Sequence, residues 1–154
     1  MRFSGRFEVG APPQRCLERL RDPSWLSQCL PSLVSFEDRG AEGFRAVFYQ
    51  DLSGLAQLSG YLSRIRTEMS FRYEDTGPSV VKLVGEGRVV GTKIRLTIVV
   101  KVSERGVGSA LDWEAEADLG LVQRILGEKL VRQVAENQIQ ALTLCLGEKL
   151  SSPV

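Results

Sequence analysis

Histidine is absent from the 154 residues. That excludes every mechanism that turns on imidazole: Ser-His-Asp and Cys-His nucleophiles, His-ligated zinc, and haem held by histidine. Cysteine is scarce. Cys16, Cys29 and Cys145 stand far apart, with no C-x-x-C spacing, so neither a zinc site nor a redox dithiol is expected. An odd number makes a poor disulfide framework, and the expectation is buried free thiols acting as small hydrophobes. Long apolar runs are missing: nothing approaches the roughly 18 residues of a membrane span. Met1-Arg2-Phe3-Ser4-Gly5 lacks the apolar segment of a secretory signal, so a cytoplasmic protein is expected. An excess of either charge is missing too. Twenty Lys and Arg against 19 Asp and Glu leave a net charge of +1, which gives no global electrostatic case for nucleic acid.

What is present is ordinary globular composition, 43% hydrophobic and 25% charged. The length suits one domain over residues 1–154, with a core that needs neither disulfide nor metal. Phe3, Phe7 and Val9 share one parity against Arg2, Ser4, Arg6 and Glu8, which predicts a strand with one buried face. Ala11-Pro12-Pro13 then opens a short amphipathic helix carrying Cys16, Leu17 and Leu20. Asp22-Pro23, an N-cap followed by an N1 proline, opens a second with Trp25, Leu26, Cys29 and Leu30, which stops at Pro31.

From Leu33 to Leu119 the pattern has period two. Strands are predicted at Leu33–Arg39, around Phe44, Ala46 and Phe48, over Leu55–Tyr73, at Val80–Val90, over Ile94–Val102, and at Ala110–Leu119. Tyr61, Ile65, Met69, Phe71 and Tyr73 lie on one parity of the long third region; Trp113 shares the inward parity of the last. Hairpin-sized connections imply an antiparallel sheet of six or seven strands with one face wet. A single long helix is expected from Leu121 to Lys149, with Val122, Leu126, Leu130 and Val134 at helical spacing. In this α+β chain the terminal helix is the one large apolar element left to cover the sheet. A curved sheet around one helix leaves a gap that an apolar ligand would fill.

Ala11-Pro12-Pro13, Leu20, Asp22-Pro23, Leu26 and Cys29-Leu30-Pro31 resemble the signature of the carbon monoxide dehydrogenase G-subunit family. That family falls in the START/Bet v 1-like group of polyketide cyclases and lipid-transport proteins. Phe3-Ser4-Gly5, Gly85-Glu86-Gly87 and the terminal helix fit as well, so the resemblance runs along about the whole chain. It implies a helix-grip fold, a curved antiparallel sheet wrapped around a long C-terminal helix, with a hydrophobic cavity between them. It also implies a role beside molybdenum hydroxylases of the carbon monoxide dehydrogenase type, with membrane recruitment and quinone or lipid handling. Some relatives carry a membrane-tethering C-terminal extension; this sequence runs from the helix into Ser151-Ser152-Pro153-Val154, and at most peripheral membrane contact is expected.

Other patterns have plainer readings. Gly85, Gly87 and Gly91 follow no phosphate-loop spacing and precede a strand; bulges or bends are the expectation. Asp112, Glu114, Glu116 and Asp118 lie opposite Trp113 and read as a solvated face, with Lys93, Arg95 or Lys101 as cross-strand partners, rather than as metal ligands. Arg64, Arg66 and Arg72, with Lys82 and Arg88, read as a charge-balanced exterior.

The expected function is a non-enzymatic carrier of a quinone, lipid or isoprenoid, with no cofactor, no metal and no catalytic residue. Its cavity is expected to be lined by Phe48, Tyr61, Ile65, Met69, Phe71, Leu96, Ile98, Trp113, Leu126, Leu130 and Val134. The resemblance adds Trp25, Leu26 and Leu30 at the entrance. Tyr61 and Tyr73 are the inward phenols able to hydrogen-bond a ligand. The alternatives are a cyclase or aromatase, which needs a positioned acid or base, and a ligand-free assembly factor.

Overall fold

The computed structural model describes residues 1–51 and 64–151. Strand β1 (Arg2–Val9) leads into helices α1 (Pro13–Leu20) and α2 (Pro23–Leu26), the latter continued by a 3-10 turn at Ser27–Cys29. Then come β2 (Leu33–Asp38), β3 (Phe44–Asp51), β4 (Arg64–Glu74), β5 (Val80–Val89), β6 (Thr92–Arg105) and β7 (Gly108–Asp118). The chain ends in α3 (Val122–Leu126) and α4 (Glu128–Ser151). The described strands form one seven-stranded sheet in the order β1-β7-β6-β5-β4-β3-β2, antiparallel throughout. β1 and β2 thus occupy opposite edges, and the two short helices carry the chain between them across one end of the sheet.

Local chemistry accounts for these elements. The Asp22 carboxylate accepts hydrogen bonds from the Ser24 and Trp25 amides, which fixes the start of α2 with Pro23 in its first turn. The β5–β6 hairpin turns on Val90 and Gly91, both at positive φ (49° and 73°), the twist a two-residue hairpin loop requires. Instead of one terminal helix there are two. Gly127 sits at φ 86° and breaks the periodic run that the sequence carries straight through it.

The strands alternate as their periodicity predicts, and the register shows what each row contains. Ala117, Leu96, Gly85, Phe71 and Phe44 form one cross-strand row on the inner face. Gly85 is not at a bulge, since the β4–β5 register is continuous. A Cβ there would come 2.6 Å from the Phe71 ring, so the missing side chain is what lets Phe71 lie across β5. Gly5 does the same for Trp113, whose indole would lie 2.7 Å from an added Cβ.

The core has two centres. The larger lies at the α1/α2 end and joins Val9, Cys16, Leu20, Leu26, Phe44, Phe71, Leu111, Leu146 and Leu150, with Phe44 and Phe71 stacked at 5.0 Å between centroids. The smaller joins Ile65 and Val89 to Val122 and Val131. Ser109, fully buried in the first, donates its hydroxyl to the Ala11 carbonyl at 2.7 Å and so ties β7 to the start of α1.

The cysteines depart from expectation. Cys29 and Cys145 form a disulfide across a sequence separation of 116 residues, with Cα atoms 5.5 Å apart. It staples the 3-10 turn to the second half of α4. The pairing was invisible because it depends on two helical elements meeting in space, and an odd count hides a pair plus one. Cys16 is the buried free thiol, and burial pushes its pKa up.

Candidate functional site

Among the described residues the sheet's outer face carries a lattice of ion pairs. Arg6 meets Asp112 at 3.5 Å and Arg2 meets Glu116 at 3.6 Å, so two of the four acids of β7 pair with β1, while the register sets Arg95 and Lys101 of β6 opposite Asp118 and Asp112. Glu68 takes both Arg45 (2.6 Å) and Arg66 (2.9 Å), while Arg72 bridges Glu74 and Glu86. These pairs are exposed and each contributes little to stability. Among the described residues no group of three or more metal-ligating side chains converges.

The inner face differs from end to middle. At the α1/α2 end, Leu111 and Leu150 are at most 1% exposed. Along the middle of β6, by contrast, Ile94, Leu96, Ile98 and Val100 are all only half-buried, although they point toward the covered side. Their neighbours Trp113, Ala115 and Ala117 on β7, and Phe3 and Phe7 on β1, are half-buried too. The same gradation runs along α4. Leu130 and Val131 are buried near its start and Leu146 and Leu150 near its end, while Val134, Gln138, Ile139 and Leu142 between them are half-buried. Val134 packs against the smaller core and Leu142 against the larger, and Ile94 touches both. Helix α4 makes its extensive backbone approach to the sheet along β1. Phe7, Leu96, Ile98, Val100 and Leu142 pack against the larger core while keeping part of their surface accessible, so the middle of the inner face is an apolar waist less deeply covered than the two ends.

The sequence-predicted residues divide over this plan. Phe48, Leu96, Ile98, Trp113, Leu126 and Val134 are half-buried. Ile65, Met69, Phe71 and Leu130 are buried in the packed clusters or beside them, at 4% to 8% exposure. Leu26 belongs to the larger core, with Trp25 and Leu30 packed against it; Arg19 lies over the Trp25 ring at 6.0 Å. Tyr61 lies outside the described residues. Tyr73 donates its hydroxyl to the Leu20 carbonyl at 2.8 Å, which joins β4 to the end of α1. Burial, with Asp22 and Asp38 nearby, pushes its pKa far up, so near neutrality it is a fixed neutral donor.

An open groove of about 710 Å3 lies where the β4–β5 turn meets Arg21 and the Gly40–Glu42 turn. Its polar groups serve one another. Arg21 donates to the Gly77, Pro78 and Val80 carbonyls, and Lys82 pairs with Glu74 at 3.1 Å. That arrangement secures the turn and leaves the waist as the candidate site.

Comparison with known proteins bears on the same fold. The model of the family described as the carbon monoxide dehydrogenase G subunit (CoxG) matches residues 5–151. Among solved structures, a conserved protein of Geobacillus kaustophilus superposes with a TM-score of 0.77 at 18% identity, covering 97% of this chain and 95% of that one. A protein of Thermus thermophilus gives 0.68 at 19% identity, covering 97% of each chain. A START superfamily protein of Mycobacterium smegmatis gives 0.60 at 13% identity, covering 97% of this chain and 98% of that one. At these identities the likeness establishes the helix-grip fold alone. No curated protein matches the chain.

Proposed function

The chain belongs to the carbon monoxide dehydrogenase G-subunit (CoxG) family, and from that premise we propose that it carries an apolar ligand, of the quinone or lipid class, in the waist between sheet and α4. The observation that supports this reading is the half-buried apolar middle between two packed cores. Side chains as large as Ile98, Leu96 and Val134 gain contact when something fills the space between them, and each ligand CH₂ buried there contributes about 0.8 kcal/mol. The described inward positions of the sheet are mostly apolar side chains and glycines; of the polar ones, Tyr73 and Ser109 donate to the Leu20 and Ala11 carbonyls and Asp38, at the β2 edge, accepts from Ser24, while the carboxylates of β4 and β7 lie on the ion-paired face. A binding role without acid–base chemistry accords with that. The family's name further supports an accessory role to a molybdenum hydroxylase of the carbon monoxide dehydrogenase type, for which the ligand would be an electron acceptor or its precursor in transit. No helix among the described residues is long and apolar enough to cross a membrane.

The test is a titration with a short-chain quinone followed by tryptophan fluorescence. Trp113 lies on the inner face, so its emission falls in a saturable way, near one quinone per chain. The signal persists in Trp25→Phe and disappears in Trp113→Phe. Non-saturable quenching in every variant would remove the waist as a binding site.

A further inference from the structure

We propose that the end of the molecule capped by α3 is a docking surface for an anionic lipid leaflet, with Leu121 and Ile125 entering it and the cations beside them meeting the headgroups. The proposal stands apart from the carrier reading, since it concerns the exterior of the fold. Helix α3 covers the end of the sheet where the β5–β6 turn and the start of β1 lie. Its Val122 packs with Ile65, Val89 and Val131, and Met1, Val90, Leu119 and Leu126 close around them. Val122 and Leu126 therefore turn inward. On the other side of the helix Leu121 and Ile125, one turn apart, remain 54% and 48% exposed, with the exposed Arg124 between them. Cations flank this pair. Lys93 lies at the start of β6, and its carbonyl is 3.2 Å from where a Cβ on Gly120 would be, so it borders the entry to α3. Arg88 stands directly opposite Lys93 in the β5–β6 register, a placement of like charges that costs the sheet stability. Lys129 follows in the first turn of α4. Arg88, Lys93, Arg124 and Lys129 are all exposed, and none enters an ion pair among the described residues. Of the acids at this end, Asp51 and Asp118 stand opposite Arg64 and Arg95 in the register, and Glu128 remains.

The occupant follows from the two features together. An acidic protein surface would neutralise the cations but set Leu121 and Ile125 against polar groups. A leaflet containing anionic lipid satisfies both. Its headgroups carry the negative charge, and the boundary with the acyl chains takes apolar side chains to a depth of about 5–10 Å. Each Lys or Arg near such a surface strengthens binding by roughly fivefold, and salt screens the gain. Two side chains already half in contact with the fold add too little to hold the protein on a neutral leaflet alone. The attachment is therefore peripheral, reversible and dependent on both the apolar pair and the charge.

The full chain is sedimented with vesicles of phosphatidylcholine alone and with vesicles of phosphatidylcholine and phosphatidylglycerol in equal parts. Wild type binds the mixed vesicles and only slightly the neutral ones, and raising the salt from ~0.05 M to ~0.5 M weakens the binding about fivefold or more. Leu121→Ser/Ile125→Ser and Arg124→Glu/Lys129→Glu each weaken it by roughly tenfold. Val107→Ser, at the β6–β7 turn on the opposite end of the sheet, where Val107 is 94% exposed, binds as wild type does. Melting temperatures are recorded for each, so that a misfolded variant is recognised and the other decides. Binding that neither double variant weakens, equal binding to the two kinds of vesicle, or binding to neither overturns the proposal. In the last case, retention on a polyglutamate resin would assign the surface to an acidic protein instead. Quinone titration of the same variants stays at the wild-type level, so failure of the lipid surface leaves the carrier reading standing.

Discussion

The two ends of this molecule and its waist are built from the same residue types, yet they are packed differently. Leu111 on β7 and Ile98 on β6 both point to the covered face. Leu111 is fully buried beside Val9, Ser109 and the end of α4, whereas Ile98 is half-buried between Ala115 and Leu83. The difference lies in what covers them. At one end α1, α2 and the last turns of α4 converge; in the middle, among the described residues, α4 approaches the sheet along β1. Stability therefore resides in the ends, and the middle is where the fold has apolar surface left to give to a ligand.

The largest expected effect is in the packed end. Leu111→Ala should cost about 3–4 kcal/mol, because the lost side chain leaves a cavity that the tight surroundings cannot close. Ile98→Ala should cost only about 1–2 kcal/mol, since that side chain is less completely removed from solvent than Leu111. Urea unfolding of the pair measures the contrast directly, and equal losses would abolish it.

Next comes the staple. Removing the Cys29–Cys145 link, by a dithiol reductant or by the double variant Cys29→Ser/Cys145→Ser, should lower stability by about 2–4 kcal/mol. Cys16, buried and with its thiol pKa pushed up, should stay unreactive in the native protein under both conditions. Thermal melts with and without reductant measure the first statement and thiol labelling the second. Because the link joins the 3-10 turn to α4 at the packed end, quinone binding at the waist should survive its loss.

How much of this plan the sequence carries depends on the range of the interaction. Alternation along Ile94–Val102 and Leu111–Ala117 is local, so the strands, their inner faces and the antiparallel order were legible. The family signature around Asp22-Pro23 and Cys29-Leu30-Pro31 was legible for the same reason. Depth was not: Met69, Phe71, Leu96 and Ile98 share the inward parity, and the buried pair differs in lying over Gly85 and Gly87 of the next strand, with Phe71 also stacked on Phe44, contacts made across strands. The break at Gly127 was masked by apolar spacing that runs through it in register. The Cys29–Cys145 bond joins positions that nothing in the chain between them connects.

The central claim is that the waist is open and takes an apolar guest, and Ile98→Trp tests it most directly. Calorimetric titration with a short-chain quinone, run beside a thermal melt, measures both consequences on one variant. An indole entering a closed core forces strained rotamers and costs about 1–3 kcal/mol; entering an open waist it finds room and buries its own surface. The account predicts a melting temperature at or above that of wild type together with loss of quinone binding. A sharply lowered melting temperature, or undiminished quinone binding in a stable variant, would contradict it.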